Sequence, residues 1–192
     1  VEHSETESDG IKISGLICKN FNQGFSRSRS VESLQEYFEK YNIIGICDID
    51  TRALVRYIRN KGAMNAIISS EINDIDTLFE QIKSVPSMEG LELSSKVSTT
   101  EVIDYDSDGP FRVALLDFGV KSNIVKCLED RGCKIRVFPM NSSVEDVLSW
   151  NPDGIMLSNG PGDPSAMADV VNNIKLLLEL DYPIFGICLG HQ

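Results

Sequence analysis

The second half of the chain alternates short apolar runs with segments whose apolar residues recur every three or four positions. Short apolar runs bounded by turn residues indicate buried strands, and the longer spacing indicates helices that pack on one side. The pattern predicts strands over 112–117, 134–138, 154–157 and 183–187, and helices over 121–131, 144–150 and 166–180. Strands that alternate with helices form a parallel sheet with helices on both faces. We therefore expect a doubly wound, mostly parallel α/β domain.

The first half of the chain is less regular but mixes the same two patterns. It predicts strands over 12–18, 43–49 and 66–69 and a helix over 33–41. A second helix is expected to begin after Asp50, a favourable N-cap residue, and to end at Lys61 before Gly62. These elements indicate a mixed α/β domain.

An acidic, turn-rich stretch over 104–110 separates the two halves and ends in a Gly-Pro pair. We place the domain boundary there, so that residues 1–109 form the N-terminal domain and residues 110–192 form the doubly wound domain. The chain begins with Val1 rather than Met and stops at Gln192 inside an expected helix. We expect both domains to be partial.

Composition and charge narrow the function classes. Hydrophobic residues make up 42% and charged residues 24% of the chain, which is typical of a globular protein. A formal net charge of -11 argues against a nucleic-acid-binding surface, which needs an excess of Lys and Arg. No apolar run approaches the ~20 residues that span a bilayer, so we expect no membrane association. We expect a cytoplasmic protein whose partner is a small molecule or another protein.

The chain has five cysteines, at positions 18, 47, 127, 133 and 188. An odd number without a C-x-x-C pair indicates reduced thiols, and it predicts neither a disulfide framework nor a zinc site. Four of them lie among apolar residues and are expected to be buried and inert. Only Cys188 has neighbours that indicate chemistry.

Cys188 lies where the last predicted strand meets a following helix, with Gly186 and Gly190 two positions to either side. This is the cysteine form of a nucleophile elbow, in which a tight, strained turn exposes the side chain at the carboxyl edge of the sheet. Backbone amides at a helix start favour a thiolate and can donate to a developing oxyanion. We expect a reactive thiolate, with the amide of Leu189 as the oxyanion donor.

A second loop, over 158–164, also follows a strand of the same sheet and should emerge at the same edge. Gly160 and Gly162 flank Pro161 and leave backbone amides accessible to a substrate's polar groups or to a phosphate. By itself this loop is weak evidence, because ordinary turns also use Gly and Pro. Its pairing with the elbow makes it informative.

The two loops together carry a resemblance. The sequence N-G-P-G-D-P at 159–164, followed by G-I-C-L-G-H-Q at 186–192, resembles the class I glutamine amidotransferases. Within them the chain is most similar to the small subunits of carbamoyl phosphate synthetase. The segments D-I-D-T-R at 48–52, K-G-A at 61–63 and D-F-G-V-K-S-N at 117–123 carry this narrower resemblance.

The resemblance implies hydrolysis of L-glutamine to glutamate and ammonia, with Cys188 forming a glutamyl thioester. It implies that the amides of Gly160 and Leu189 hold the oxyanion, and that Gly162 and Gln192 help to bind glutamine. The ammonia would pass to a large synthetase subunit that makes carbamoyl phosphate from bicarbonate and ATP for arginine and pyrimidine synthesis. ATP and Mg then belong to that partner, and we expect no cofactor or metal in this chain.

One departure concerns the catalytic base. In the family, His and Glu come from a His-Pro-Glu segment well beyond the elbow, and this sequence contains no such segment. Of its two histidines, His3 lies in the other domain and His191 lies three positions after Cys188. A base needs hydrogen-bond geometry and a third group to orient it, so we expect neither histidine to serve. We expect the chain by itself to be inactive.

Three other functions remain compatible with parts of the pattern. The nearest is the glutaminase component of another amidotransferase, such as the GMP or anthranilate enzyme, and residues 1–109 argue against it. A cysteine hydrolase or peptidase would share the elbow but would not need the loop around Gly160. In a non-enzymatic binding or assembly module, Cys188 would be an ordinary buried thiol.

Overall fold

The computed structural model describes residues 1–2, 11–24, 28–87 and 90–192. These residues divide into two compact units, Val1–Ser87 and Met88–Gln192. In the first unit the elements in chain order are β1 Gly15–Ile17, α1 Leu34–Lys40, β2 Ile44–Ile46, α2 Thr51–Lys61 and α3 Ile75–Lys83. Strand β1 pairs in parallel with strand β2.

Side-chain caps explain where the helices of the first unit begin. Ser33 and Glu36 form a reciprocal capping box at the start of α1. Asp50 accepts a hydrogen bond from the Ala53 amide at the start of α2, as predicted, and Asp74 caps α3 in the same way. Helix α2 ends at Gly62, whose φ of 89° few other residues adopt, so both predicted ends of this helix are confirmed.

One expectation for the first unit was wrong, because residues 66–69 are not a strand. Helix α3 is an additional element that the sequence analysis did not predict. A strand needs a neighbouring strand to accept its backbone hydrogen bonds. Residues 66–69 pair with no strand in the described part of the chain. The predicted strands over 12–18 and 43–49 are present but shorter, as β1 and β2.

The second unit contains, in chain order, β3 Ile103–Tyr105, β4 Phe111–Asp117, α4 Ser122–Glu129, β5 Cys133–Pro139, α5 Val144–Ser149, β6 Gly154–Leu157, α6 Ala168–Leu178 and β7 Ile184–Gly186. Its strands form one sheet with the spatial order β3, β5, β4, β6 and β7. Four of them run parallel, and β3 pairs antiparallel with β5. The predicted mostly parallel α/β fold is confirmed.

The two faces of this sheet are packed by different helices. On one face Ala114 and Leu116 of β4 lie in a buried cluster with Val147 of α5 and Leu177 of α6. On the other face Leu115 of β4 lies in a second cluster with residues of α4 and β5. Successive residues of β4 therefore contribute to opposite faces, as the pleat of a strand requires. Both clusters end at the carboxyl edge, where the candidate residues lie.

The two compact units divide at Ser87 and Met88, whereas the sequence placed the domain boundary between residues 109 and 110. The difference arises because the acidic stretch is only partly a linker. Asp104 lies in β3 and makes a bidentate ion pair with Arg136 of β5, at 2.6 and 2.8 Å. Tyr105 packs against the cluster on the α4 side. Residues 90–109 therefore belong structurally to the second unit.

None of the helices in the described ranges is long and apolar enough to cross a membrane.

Candidate active site

Cys188 lies two residues after the end of β7, at the start of the short 3-10 helix Cys188–Gly190. Its φ is 54°, in the left-handed region that a non-glycine residue seldom occupies. Its side chain is exposed. A strained residue with an exposed thiol at the end of a parallel strand is the geometry predicted for a nucleophile elbow.

The two glycines beside Cys188 are required by close backbone approaches. A Cβ atom at Gly186 would clash with the carbonyl group of Gly190, and a Cβ atom at Gly190 would clash with the carbonyl group of Leu157. The turn therefore closes on itself and also presses against the end of β6. Only glycine fits at both positions without a backbone shift.

Hydrogen bonds join the elbow to the neighbouring loop. The Ile187 amide donates to the Leu157 carbonyl at 3.0 Å, and the Gly190 amide donates to the Ser158 carbonyl at 3.1 Å. The Leu189 side chain is 5% exposed and belongs to the apolar cluster beneath the edge, so the backbone that follows Cys188 is anchored from below. The elbow is thus a fixed part of the sheet edge.

The loop that contains Gly160 and Gly162 follows β6, the strand that pairs in parallel with β7. Both loops therefore emerge at the same edge, as the sequence predicted. Ser158, fully buried, accepts a hydrogen bond from the Phe118 amide at 2.9 Å and donates to the Asn159 carbonyl at 2.8 Å. The start of this loop is tied in this way to the loop after β4.

Asn159 adds a second connection between those two loops. Its side-chain oxygen accepts from the Lys121 amide at 3.1 Å, and its side-chain nitrogen donates to the Gly119 carbonyl at 3.0 Å. Sequence reasoning used Asn159 only as part of a motif and missed Ser158. An Asn or Ser directly after a buried strand is a signal that could have found them, because such side chains often bond nearby backbone.

Asp117, at the end of β4, is a buried carboxylate close to these loops. One of its oxygens accepts from the Thr99 amide at 2.7 Å, and the other accepts from the Gly119 and Val120 amides at 2.8 and 2.7 Å. Both oxygens therefore bind backbone. This carboxylate therefore shapes the edge by holding the backbone of the loops around it.

His191 and Gln192 follow the elbow directly. Their backbone amides donate to the Cys188 carbonyl at 3.0 and 3.1 Å. Both residues, with Leu189, line a cavity of about 390 Å³ that is otherwise mainly apolar and runs along α6. His3 lies outside the described residues.

A second cavity, of about 670 Å³, lies over α4, β4, β6 and β7. None of the five candidate residues lines it. Its lining is mainly apolar, with Asn123 and Arg131 among the few polar residues, and a mainly apolar cavity is poorly suited to glutamine. The polar edge around Cys188 is therefore the better candidate site. Within the described residues, no three His, Cys, Asp or Glu side chains cluster to hold a metal ion.

The exposure of the cysteines differs from expectation. Cys47 and Cys127 are exposed, like Cys188, whereas Cys18 is half-buried and Cys133 is buried. Of the four cysteines that were predicted to be buried, only Cys133 is fully so. The prediction was wrong for Cys47 and Cys127, because their apolar neighbours in sequence do not enclose them in space. The exposed thiol of Cys188 also argues against its reading as an ordinary buried cysteine.

Comparison with known proteins gives matches along both units. The model of the family described as "Glutamine amidotransferase class-I" matches residues 114–192. The model described as "Carbamoyl-phosphate synthase small chain, CPSase domain" matches residues 1–68.

Curated relatives extend these matches over nearly the whole chain. The chain is 44% identical over 208 residues to the carbamoyl phosphate synthase small chain of Nostoc sp. (strain PCC 7120 / SAG 25.82 / UTEX 2576), covering 100% of this chain and 54% of that protein. It is 42% identical over 206 residues to that of Yersinia pestis, covering 98% and 53%. With the Escherichia coli (strain K12) protein the identity is 39%, covering 98% and 54%. The chain spans about half the length of these relatives.

Proposed function

The chain belongs to the family of carbamoyl-phosphate synthase small chains, and from that premise we propose that Cys188 is the nucleophile of a glutaminase that supplies ammonia to a synthetase. The observation that carries the proposal is the geometry of Cys188. Its thiol is exposed at the carboxyl edge of a parallel sheet, on a residue with φ of 54° between two obligatory glycines. Such strain persists only where the surrounding structure imposes it, and it concentrates at functional sites.

In the proposed reaction the Cys188 sulfur attacks the side-chain amide carbon of L-glutamine. The resulting tetrahedral oxyanion accepts hydrogen bonds from the backbone amides of Gly160 and Leu189. Its collapse breaks the carbon–nitrogen bond, and the nitrogen leaves as ammonia after taking up a proton. Water then attacks the glutamyl thioester, which releases glutamate and restores the thiol. Gly162 and Gln192 hold the substrate.

The proton transfers require a base that we assign to the part of the relatives outside this chain. His191 is tied by its backbone to the Cys188 carbonyl on the same turn. Asp117 uses both carboxylate oxygens to bind backbone amides. The resemblance instead supplies a His and a Glu from a later His-Pro-Glu segment. The chain alone therefore has negligible turnover.

The partner in this proposal is a large synthetase subunit that converts the ammonia to carbamoyl phosphate for arginine and pyrimidine synthesis in the cytoplasm. ATP and Mg act on that partner, and this chain needs no cofactor or metal. The match of residues 1–68 to the small-chain CPSase domain favours this partner over the GMP or anthranilate enzymes.

A chimera tests the proposal. The chain is extended with the C-terminal half of the Nostoc relative, and glutamate release from glutamine is measured. We expect steady release that Cys188→Ser abolishes and that Cys127→Ser, which alters another exposed thiol, leaves unchanged.

Two results would contradict the proposal. The first is an equal rate in the folded Cys188→Ser chimera. The second is steady glutamate release from the 192-residue chain alone, which would show that the base lies within it.

A further inference from the structure

Ser94 is a buried polar residue that the proposed reaction does not use. It begins the short 3-10 helix Ser94–Lys96 and is 0% exposed. Its hydroxyl donates a hydrogen bond of 2.8 Å to the carbonyl oxygen of Pro161, the residue between Gly160 and Gly162. Burying a hydroxyl is unfavourable unless it is hydrogen-bonded, so this contact fixes both partners.

The residues just before Ser94 hold the same loop through its backbone. Glu92 and Gly162 form an isolated antiparallel bridge. The Asp163 amide donates to the Leu91 carbonyl at 3.1 Å. We call residues 90–94 the strap.

Asp163 anchors the other end of the strap. Its carboxylate accepts from the Gly90 amide at 3.0 Å and from the Ser165 amide at 2.9 Å. Hydrogen bonds from Ser165, and then the one from Gly90, hold the pKa of Asp163 below its usual value. The strap therefore contacts Pro161, Gly162 and Asp163 in succession.

The strap also fills the space beside Gly162. The φ of Gly162 is 102°, and a Cβ atom there would lie 3.0 Å from both the Leu91 oxygen and the Leu93 nitrogen. A loop with two glycines has many accessible conformations unless its surroundings select one. Here the strap selects one conformation of the loop, because the strap contacts the loop residues directly.

We propose that the strap is a positioning element that holds the backbone of Gly160 and Gly162 in the conformation that binds the glutamine side chain. This inference rests on the proposed function. Binding groups that are held in place before the substrate arrives lose less entropy on binding. Ser94 and Asp163 act through the loop and do not touch the substrate.

The test uses the full chain and alkylation of Cys188 by a chloroketone analogue of glutamine, followed by mass spectrometry at several analogue concentrations. We expect Ser94→Ala to raise the half-saturating concentration about threefold to tenfold, as expected for loss of one neutral hydrogen bond. Alkylation of Cys188 by iodoacetamide, which does not need the loop, should keep its rate. Asp163→Asn, which weakens the strap from its other end, should act in the same direction.

Ser149→Ala is the matched control. The Ser149 hydroxyl also donates a hydrogen bond to a backbone carbonyl, that of Asp146, at 2.7 Å. Ser149 lies in α5, away from the loop. It should leave both alkylation rates unchanged. Circular dichroism melting of each variant shows whether it is folded at the assay temperature.

The outcomes separate the two proposals. If the unmodified chain shows no saturable preference of Cys188 for the glutamine analogue, the proposed function fails. If that preference exists and the folded Ser94→Ala and Asp163→Asn variants retain the same half-saturating concentration, the strap has no positioning role. If the variants change the rate of Cys188 alkylation by iodoacetamide as much as by the glutamine analogue, the positioning role of the strap is also overturned. Such a result would indicate an altered thiol and not an altered loop.

Discussion

The two compact units of this chain use similar local signals but bury their apolar residues very differently. Among the described residues of the first unit, Phe38 is the one buried apolar residue, with 9% of its surface exposed. Val55 of α2 and Phe79 of α3 are 60% and 58% exposed. In the second unit Leu115 and Phe118 are 0% and 1% exposed. Capped amphipathic helices form in both units, but among the described residues only the five-stranded sheet of the second unit encloses an extended core.

The difference in burial between the two units indicates which packing stabilises the candidate site. The elbow, the loop after β6 and the strap all lie in the second unit, on a sheet packed from both faces. A strained residue such as Cys188 persists only when the surrounding packing outweighs its cost. The site is therefore built on the unit that can hold it.

Truncating one side chain in each unit should show the largest contrast. Leu115→Ala removes packing from the centre of β4 and should destabilise the chain by about 2–5 kcal/mol. Val55→Ala, on an exposed face, should change the free energy of unfolding by less than about 0.5 kcal/mol. Urea unfolding followed by circular dichroism measures both. Equal losses would break the distinction between the units.

Gly190→Ala should produce the next largest effect. The added Cβ would clash with the Leu157 carbonyl, so either the elbow or the end of β6 must shift. We expect a loss of about 1–3 kcal/mol, typical of overpacking, together with loss of selective Cys188 alkylation. Gly45→Ala in β2 is the matched control, because a Cβ there meets its nearest atom only at 3.7 Å. A Gly190→Ala variant with unchanged stability and labelling would show that the turn is not closely packed.

The ion pair between Asp104 and Arg136 should give the smallest effect. Hydrogen bonding from Arg136 holds the Asp104 pKa below its usual value, so the pair stabilises the fold above the unfolded pKa of Asp. That contribution is lost as pH falls through the lower folded pKa. We expect Asp104→Asn to cost about 0.2–1 kcal/mol at pH 7, since both side chains are partly exposed. At pH values below the folded pKa of Asp104 the difference should vanish.

The control for this prediction lies in the first unit. Glu80 and Lys83 form an i,i+3 pair whose side chains are 73% and 67% exposed. Glu80→Gln should cost less than Asp104→Asn, because the more exposed pair is better screened by water and salt. A larger cost for Glu80→Gln, measured by urea unfolding at pH 7, would contradict the assignment of β3 to a stabilised sheet.

The same contrast explains how much of the fold could be predicted from the sequence. The parallel strands of the second unit were predictable because strands buried on both faces are continuous apolar runs. Strand β3 was missed because its three residues include Asp104, whose charge is satisfied by a partner 32 positions away. In the first unit, 66–69 looked like a strand from composition alone, but no neighbouring strand pairs with it in the described residues.

The candidate site shows a similar limit. The elbow could be predicted because the glycines at positions 186 and 190 are close to Cys188 in sequence. The strap could not be predicted, because Ser94 and Pro161 are 67 positions apart in sequence and their contact depends on the folded sheet. The hydrogen bonds from the Phe118 amide to Ser158 and from the Thr99 amide to Asp117 likewise join residues 40 and 18 positions apart, so these partners could not be read from the sequence.

The central claim is that Cys188 is a nucleophile placed to react with glutamine. The most direct measurement is competitive alkylation of the full chain with a limiting amount of the glutamine chloroketone, with each cysteine quantified by mass spectrometry. Cys47 and Cys127 are also exposed, so access alone cannot favour Cys188 over them. We predict that Cys188 is labelled faster than either by about tenfold or more, the factor given by about 1.4 kcal/mol of binding, and that free glutamine protects it. Equal labelling of the three thiols, unaffected by glutamine, would contradict the claim.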